Sequence, residues 1–241
     1  MSKIIKHLSS VCATLLFIVL TDAAFGVESI EQEAFYNDVL LVYKKEIIDS
    51  GQILIATDSP KSGSAILAAF EKTGTGWKRV LPVMKTVIGK HGFAVAGKKK
   101  EGDFKTPSGI FLLGTVFGYP PSCDTKMNYQ MVTDDDYWVD DINSDQYNRW
   151  IKGKPRASSY EILKRKDDLY KFGIVVEYNT DPVLKGRGSA VFIHVWPGEN
   201  SHTAGCIAMA EKNIKHLLKW LDIKKHPRII MGKRDMIRSL K

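Results

Sequence analysis

The sequence contains few cysteines, which limits the use of disulfides. Three cysteines occur among 241 residues, and loss of an N-terminal leader would remove Cys12 and leave Cys123 and Cys206. Small secreted domains that depend on disulfides carry many more, and a chain of this length can bury an adequate core without them. A Cys123–Cys206 disulfide is the alternative; we expect instead a free thiol at Cys206 and an incidental loop thiol at Cys123.

Long hydrophobic runs are also scarce, and the one that occurs is at the N-terminus. Residues 11–20 form an apolar stretch that is preceded by Lys3 and Lys6 and followed by the small-x-small sequence Ala24-Phe25-Gly26. A membrane-spanning helix needs roughly 20 apolar residues, so this run predicts a cleaved signal peptide over 1–26 rather than an uncleaved anchor. We therefore expect export to the periplasm or cell-wall space, with no integral membrane association after cleavage.

The positive charge of the chain is dispersed, because a dense cluster of basic residues is lacking. The formal net charge is +8, yet the run Lys98-Lys99-Lys100 is followed at once by Glu101 and Asp103. This pattern and the predicted export disfavour nucleic acid as a partner. A basic exported protein favours anionic surfaces such as cell-wall polymers, although a solvated basic face explains the charge equally well.

The sequence contains no internal repeats, and its length fits one main domain. Apolar spacing over 28–49 predicts an amphipathic helix, so we expect an N-terminal helical segment over 27–50 and a catalytic domain over 51–241. The Thr73-Gly-Thr-Gly76 turn predicts a β-hairpin, and apolar spacing predicts a late helix over 210–221. Strands are expected at 52–57, 65–71, 77–81, 84–88, 109–117, 173–178, 189–196 and 228–231. The segment 121–171 is expected to be a long loop region of functional importance.

A histidine and a cysteine stand twelve residues apart, in a pattern typical of nucleophilic sulfur chemistry. His194 ends an apolar run, and Cys206 follows the small residues Ala204 and Gly205. A thiol nucleophile needs a base within hydrogen-bond reach and amides directed at the developing oxyanion. We predict Cys206 as nucleophile, His194 as general base, and an oxyanion hole from the amides of Cys206 and Gly205 or Ala204. His202 is the rival base. No carboxylate at convincing spacing completes a zinc site with these residues, so no metal is predicted.

Several short motifs resemble, in the same order, the L,D-transpeptidase catalytic domain of the YkuD type, in the branch with Thr-Ala-Gly-Cys after the histidine strand. The resemblance extends from about residue 50 to residue 232. The matching segments are 89–92, 101–111, 137–144, 147–148, 178–179, 186–194 and 203–206.

The resemblance implies a mainly β, β-sandwich-like catalytic fold with a few peripheral helices, and an enzyme without a cofactor. It also implies peptidoglycan stem peptides as the substrate. Cys206 matches the nucleophile of the family and His194 matches its base. The thiolate would attack the carbonyl of the diamino acid at the third stem position and expel the terminal D-amino acid. An amine of another stem would then resolve the thioester.

The sequence departs from the common family pattern at three positions around the site. Most members have His where Ala204 stands, many have Arg or Asn where Ala208 stands, and Gly commonly replaces Val195. The contacts to substrate must therefore come from elsewhere. The predicted substrate-binding residues are Trp138, Tyr147, Asn148, Tyr178, Asn179, Arg187 and His202.

Other functions use the same residues and remain open from the sequence. An L,D-carboxypeptidase would form the same thioester and use water as the acceptor. A catalytically inactive cell-wall-binding protein is an alternative of a different class, which the intact Cys206 and His194 pair disfavours. A papain-like peptidase is disfavoured because its cysteine precedes its histidine along the chain.

Overall fold

The computed structural model describes residues 30–59 and 61–240, so the predicted signal peptide over 1–26 lies outside them. Residues 30–42 form a helix, α1, and turns follow over 43–49; the helix is therefore shorter than the predicted 28–49. No helix within the described ranges is long and apolar enough to cross a bilayer.

The chain divides into two compact units between Lys44 and Lys45. The residues that follow the boundary are tied to the second unit by hydrogen bonds. The Arg228 guanidinium donates to Asp49 Oδ1 at 2.5 Å and to the Ser50 hydroxyl, and Gly51 N–H donates to Lys225 O at 2.6 Å.

The second unit consists mainly of β-strands, as predicted. Its strands are β1 (Gln52–Asp58), β2 (Ser64–Thr73), β3 (Gly76–Arg79), β4 (Met84–Val87), β5 (Gly109–Gly118), β6 (Tyr129–Met131), β7 (Asp136–Val139), β8 (Trp150–Lys152), β9 (Tyr160–Ile162), β10 (Phe172–Val176), β11 (Phe192–Val195), β12 (Ile207–Met209) and β13 (Arg228–Gly232). The helix α2 (Glu211–Trp220) lies between β12 and β13.

The main sheet closes on itself. Its strands follow the order β1-β13-β5-β10-β11-β12-β4-β2, and β2 pairs in turn with β1, so eight strands form a ring. β3 extends β2 through the predicted hairpin, in which Thr73 pairs with Gly76. The sandwich-like arrangement that was expected is thus realised as a closed sheet.

The core of the ring comes from strands with long apolar runs. β10 is buried at all five positions and β1 at six of seven, a pattern typical of strands covered on both faces. The apolar face of α2 carries the buried Ile214, Leu217 and Leu218, and the helix contacts β10 and β11. The predicted late helix is confirmed, and it lies beside the strands that hold the site.

The segment 121–171 contains short strands instead of a continuous loop. β7 pairs with β8 and β9 in a separate three-stranded sheet, which a buried carboxylate anchors. Asp136 accepts hydrogen bonds from Thr133 N, Trp150 Nε1 and Lys152 Nζ at 2.7–2.9 Å. Burial alone would raise the pKa of Asp136, but these hydrogen bonds lower it to about 2.

Candidate active site

His194 lies on β11, and Cys206 directly precedes β12, the parallel strand beside it. His194 belongs to β11 and pairs with Ala208 of β12, and Cys206 stands two residues before Ala208. Side chains alternate between the faces of a sheet, so residues two apart share a face. The cysteine and histidine side chains therefore point to the same side of the sheet, and both line one cavity. The loop over 196–206 makes the crossover that parallel pairing requires.

The backbone of Cys206 is fixed by two threonine hydroxyls. The Cys206 carbonyl accepts hydrogen bonds from Thr203 Oγ1 at 2.7 Å and from Thr106 Oγ1 at 3.4 Å. Thr106 Oγ1 also accepts from Gly89 N at 2.9 Å. Gly89 permits this approach, because a Cβ at that position would stand 2.4 Å from Phe104 O. Segments 89–92, 101–111 and 203–206 thus meet at the nucleophile.

The Cys206 thiol is buried and neutral in this structure. It is a free cysteine, as is the half-buried Cys123. Its Sγ donates to Ala190 O at 3.2 Å and accepts from Phe192 N at 3.4 Å. Burial raises the pKa of Cys206 to about 12, and the Phe192 amide and the more distant Lys99 ammonium oppose the shift. The protonated thiol is therefore the favoured form at neutral pH.

The hydrogen bond of His194 selects the tautomer that a general base needs. Its Nδ1 lies 2.8 Å from Val195 O, and a carbonyl oxygen only accepts, so Nδ1 carries the proton and Nε2 is free to accept one. The Tyr170 ring packs against the imidazole with centroids 5.1 Å apart. Burial lowers the pKa of His194 to about 4, which keeps the imidazole neutral and competent as a base at neutral pH.

The backbone amides of residues 204–206 differ in whether they already have a hydrogen-bond acceptor. Gly205 N–H donates to Thr203 Oγ1 at 3.1 Å, so this predicted oxyanion donor already has a partner. The amides of Ala204 and Cys206 have no acceptor among the residues that the structure describes. The geometry therefore favours Ala204 and Cys206 over Gly205 for this role.

The cavity around the pair has a volume of about 380 Å³ and mixes apolar and charged walls. A volume in this range suits a small ligand or the end of a peptide. His202 and Ala204 lie exposed on its wall, whereas His194 is 6% exposed. Packing thus holds the imidazole of His194 more firmly than that of the rival base His202.

Three predicted substrate-binding residues do not line this cavity. Trp138, Tyr147 and Asn148 are buried, and their polar atoms have internal partners. Asn148 Oδ1 accepts from Trp138 Nε1 at 2.8 Å and from Ala190 N at 3.0 Å. Tyr147 donates to Glu101 Oε2 at 2.5 Å. Ala190 O in turn accepts the hydrogen bond of the Cys206 thiol. Asn148 therefore positions the residue that binds Cys206 without itself lining the cavity.

Three further predicted residues hold the loop that precedes β11. Asn179 donates to Leu184 O and Gly188 O at 2.9 and 2.8 Å, and Tyr178 donates to Arg187 O at 2.5 Å. Arg187 donates to Gly97 O at 3.0 Å. None of Tyr178, Asn179 and Arg187 contributes to the cavity wall; of the seven candidates, only His202 does.

Sequence reasoning missed five charged residues of the cavity wall: Lys99, Glu101, Asp140, Glu161 and Arg165. Arg165 forms a bidentate pair with Asp167 at 2.9 and 2.6 Å and contacts Glu161 at 3.6 Å. Burial raises the pKa of Glu161. Arg165 and Glu161 are four residues apart in the segment interpreted as a loop, so no periodic pattern indicated them. Lys99 is one of three consecutive lysines, and nothing in the sequence distinguished it from its neighbours.

A comparison with protein-family models matches residues 65–231 to the L,D-transpeptidase catalytic domain, YkuD. No curated protein matches the chain significantly. Among solved structures, the chain is similar to the helical cell shape determining protein Pgp2 from Campylobacter jejuni, with 18% identity, a TM-score of 0.38, and coverage of 78% of this chain and 52% of that chain. A point mutant of the same protein matches with 18% identity, a TM-score of 0.37, and coverage of 82% and 58%.

The chain thus spans little more than half the length of these solved structures. The family match covers most of the sequence and includes both Cys206 and His194. The chain belongs to the family of the L,D-transpeptidase catalytic domain.

Proposed function

We propose that the chain is a peptidoglycan-modifying cysteine acyltransferase, an L,D-transpeptidase, that acts on stem tetrapeptides through a thioester at Cys206. Membership of the family implies a peptidoglycan substrate. The observation that carries the proposal is the shared cavity of Cys206 and His194, of which His194 lies on β11 and Cys206 directly precedes the neighbouring strand β12. A buried cysteine and histidine in one cavity form the pair that covalent acyl transfer requires.

Acylation begins when the thiol leaves Ala190 O and turns towards the imidazole. His194 Nε2 takes the proton while Sγ attacks the carbonyl carbon of the third stem residue. The tetrahedral intermediate then collapses, the carbon–nitrogen bond breaks, and His194 returns the proton to the leaving amine of the terminal D-residue. A positioned base of this kind contributes about 10²–10⁴ in rate.

The oxyanion of the intermediate needs donors that are already in place. The amides of Ala204 and Cys206 have no other acceptor within the described ranges, and the threonine bonds to the Cys206 carbonyl hold this turn rigid. Loss of one oxyanion donor costs about 10²–10³ in turnover in well-studied enzymes. We assign Ala204 and Cys206 to this role.

The second half-reaction decides between the transpeptidase and the carboxypeptidase. An amine of another stem gives a cross-link, whereas water gives a tripeptide, and His194 serves as base in both. The proposed substrate lies outside the cytoplasmic membrane, which agrees with the signal peptide predicted over residues 1–26. We therefore also propose that the protein works in the periplasm or cell-wall space.

The test is mass spectrometry of purified, reduced protein incubated with disaccharide-tetrapeptide, beside the variant Cys206→Ser. A cross-linked dimer with released D-amino acid would establish transpeptidation, and disaccharide-tripeptide alone would identify the carboxypeptidase. The nearly isosteric serine should fold and give neither product. Wild-type turnover in Cys206→Ser would refute the mechanism. Absence of both products, with retention on insoluble peptidoglycan, would instead favour the inactive binding protein.

A further inference from the structure

A buried lysine lies beside the nucleophile in the cavity wall. Lys99 is 5% exposed and lines the same cavity as Cys206. Its side chain runs between two glycines. A Cβ at Gly188 would stand 3.0 Å from Lys99 Cγ, and a Cβ at Gly205 would stand 3.8 Å from Lys99 Nζ. Because Gly205 directly precedes Cys206, the ammonium lies near the backbone turn that carries the thiol.

The ammonium of Lys99 retains one donor for a ligand. Nζ donates to Asp103 Oδ1 at 2.6 Å and to Lys100 O at 2.8 Å, and an ammonium has three donors. The described residues offer no acceptor to the third. The Asp103 carboxylate is shared, because it also accepts from the amides of Lys100 and Lys105 at 2.9 Å. Asp103 therefore divides its hydrogen-bonding capacity between the Lys99 ammonium and two backbone amides.

Burial of a lysine needs an explanation, because removing a charge from water is costly. The neighbours Lys98 and Lys100 are exposed, so the loop could have been solvated throughout. The Lys99 ammonium opposes the rise in the pKa of the Cys206 thiol that burial causes. A charged side chain with a spare donor in a cavity wall is typical of the polar groups that orient a ligand.

We propose that Lys99 binds the free carboxylate of the terminal D-residue that leaves during acylation. The inference rests on the proposed function. In such a donor, the carboxylate carbon is separated from the attacked carbonyl carbon by one nitrogen and one α-carbon, and standard bond lengths place them within about 4 Å. A cation beside Gly205 can therefore reach the carboxylate while Sγ attacks. Ala208, which lines the same cavity, has no polar side chain for this contact.

Both cations of the wall are ion-paired, Lys99 with Asp103 at 2.6 Å, but Arg165 has two carboxylate partners. Arg165 uses three of its nitrogens on Asp167 and Glu161. Its guanidinium also stacks over the Tyr170 ring at 5.1 Å. These contacts orient Arg165 towards the protein, so Lys99 is the better partner for a substrate carboxylate.

A test that needs no turnover compares two alkylating reagents of nearly equal size at Cys206. Iodoacetate carries a carboxylate and iodoacetamide does not, so the ratio of their rates reports a cation beside the thiol. Peptide mapping by mass spectrometry separates Cys206 from Cys123. We expect Lys99→Met to lower the iodoacetate-to-iodoacetamide ratio about tenfold, as loss of one charge-assisted hydrogen bond implies. The matched control Lys100→Met, an exposed lysine of the same loop, should leave the ratio unchanged.

A second variant keeps the test informative if Lys99→Met does not fold. Asp103→Asn keeps Lys99 and removes the neighbouring negative charge, so the ratio should rise. A cooperative thermal unfolding transition shows that a variant is folded, and dividing by the iodoacetamide rate corrects for any change in the reactivity of the thiol. An unchanged ratio in both folded variants, or a fall in Arg165→Gln and not in Lys99→Met, would overturn the inference.

The substrate test compares disaccharide-tetrapeptide with its C-terminal amide. We expect the wild type to prefer the free acid by about tenfold or more in kcat/KM, and Lys99→Met to lose most of this preference. An equal preference in wild type and Lys99→Met would refute the role of Lys99 while the proposed function stands. Failure of the wild type on both donors, with the alkylation ratio behaving as expected, would refute the proposed function while the cation site stands.

Discussion

Asn148 offers the sharpest test of how the site is held, because one buried amide joins three parts of the fold. Its Oδ1 accepts from Trp138 of β7 and from Ala190, and its Nδ2 donates to Tyr178 O and Asn179 O at 3.2 and 2.7 Å. Its backbone has φ of 55°, in the left-handed region that asparagine tolerates better than most residues.

The variant Asn148→Ala should destabilise the protein strongly. It removes the acceptor of Trp138 Nε1–H and of Ala190 N–H, and each unsatisfied buried donor costs about 1–3 kcal/mol. The left-handed backbone adds about 1 kcal/mol for alanine. We expect the free energy of unfolding to fall by about 3–7 kcal/mol in total, a large part of the 5–15 kcal/mol typical of a domain. Urea unfolding followed by tryptophan fluorescence measures it.

A matched variant and an isosteric variant separate the causes. Asn143→Ala removes an exposed asparagine, and its effect should stay within about 0.5 kcal/mol. Asn148→Asp keeps both acceptor bonds but sets a carboxylate oxygen against the carbonyls of Tyr178 and Asn179. This raises the folded-state pKa of the new carboxyl above its unfolded value, so the destabilisation should be smaller at pH 4 than at pH 7.

Activity distinguishes a positioning role from a substrate contact. Ala190 O accepts the Cys206 thiol, so loosening Asn148 should lower kcat of the folded fraction together with stability. A substrate contact predicts instead a raised KM at normal stability. If Asn148→Ala costs less than about 1 kcal/mol and raises KM alone, the positioning argument is wrong.

Three further outcomes follow from the titrating groups. His194→Ala should slow acylation by about 10²-fold or more, whereas the exposed His202→Ala should change it little; the opposite ranking in single-turnover assays would make His202 the base. Because burial raises the pKa of Cys206 to about 12, its alkylation by iodoacetamide in the free enzyme should still increase with pH at pH 10, and a plateau below pH 9 would contradict this. Hydrogen bonds, opposed by burial, lower the folded-state pKa of Asp136 to about 2, so its stabilisation is present above pH 4 and lost as the pH falls towards 2. The wild type should lose about 2 kcal/mol more than Asp136→Asn over that interval, and equal acid unfolding profiles would refute it.

The strands that build the closed sheet could be predicted because their signals are local. β1 and β10 are continuous apolar runs, and the hairpin of β2 and β3 contains its own glycine turn. β11 is shorter than predicted, since Ala190 adopts a φ of 50° that interrupts the extended backbone before residue 192. The short strands β7 to β9 were missed because Asp136, rather than an apolar period, holds them together.

The shared location of His194 and Cys206 could be predicted for a similar reason, whereas their surroundings could not. His194 and Cys206 stand in short, distinctive local patterns. Lys99 is one of three consecutive lysines, and only contacts with Gly188 and Gly205, far along the chain, bury it. Asn148 was predicted to bind substrate, and its structural role could not be predicted because its partners at 178, 179 and 190 lie 30 residues or more along the chain.

The resting geometry implies that substrate completes the site. Burial raises the pKa of the Cys206 thiol and lowers that of the His194 imidazole, so a preformed thiolate–imidazolium pair is disfavoured. The thiol proton is held by Ala190 O rather than by the base. Proton transfer must therefore accompany attack on the carbonyl, at the moment when the oxyanion forms. A donor whose carboxylate meets Lys99 would place its carbonyl beside Sγ, and the same cation that orients the donor would then favour the developing negative charge on sulfur.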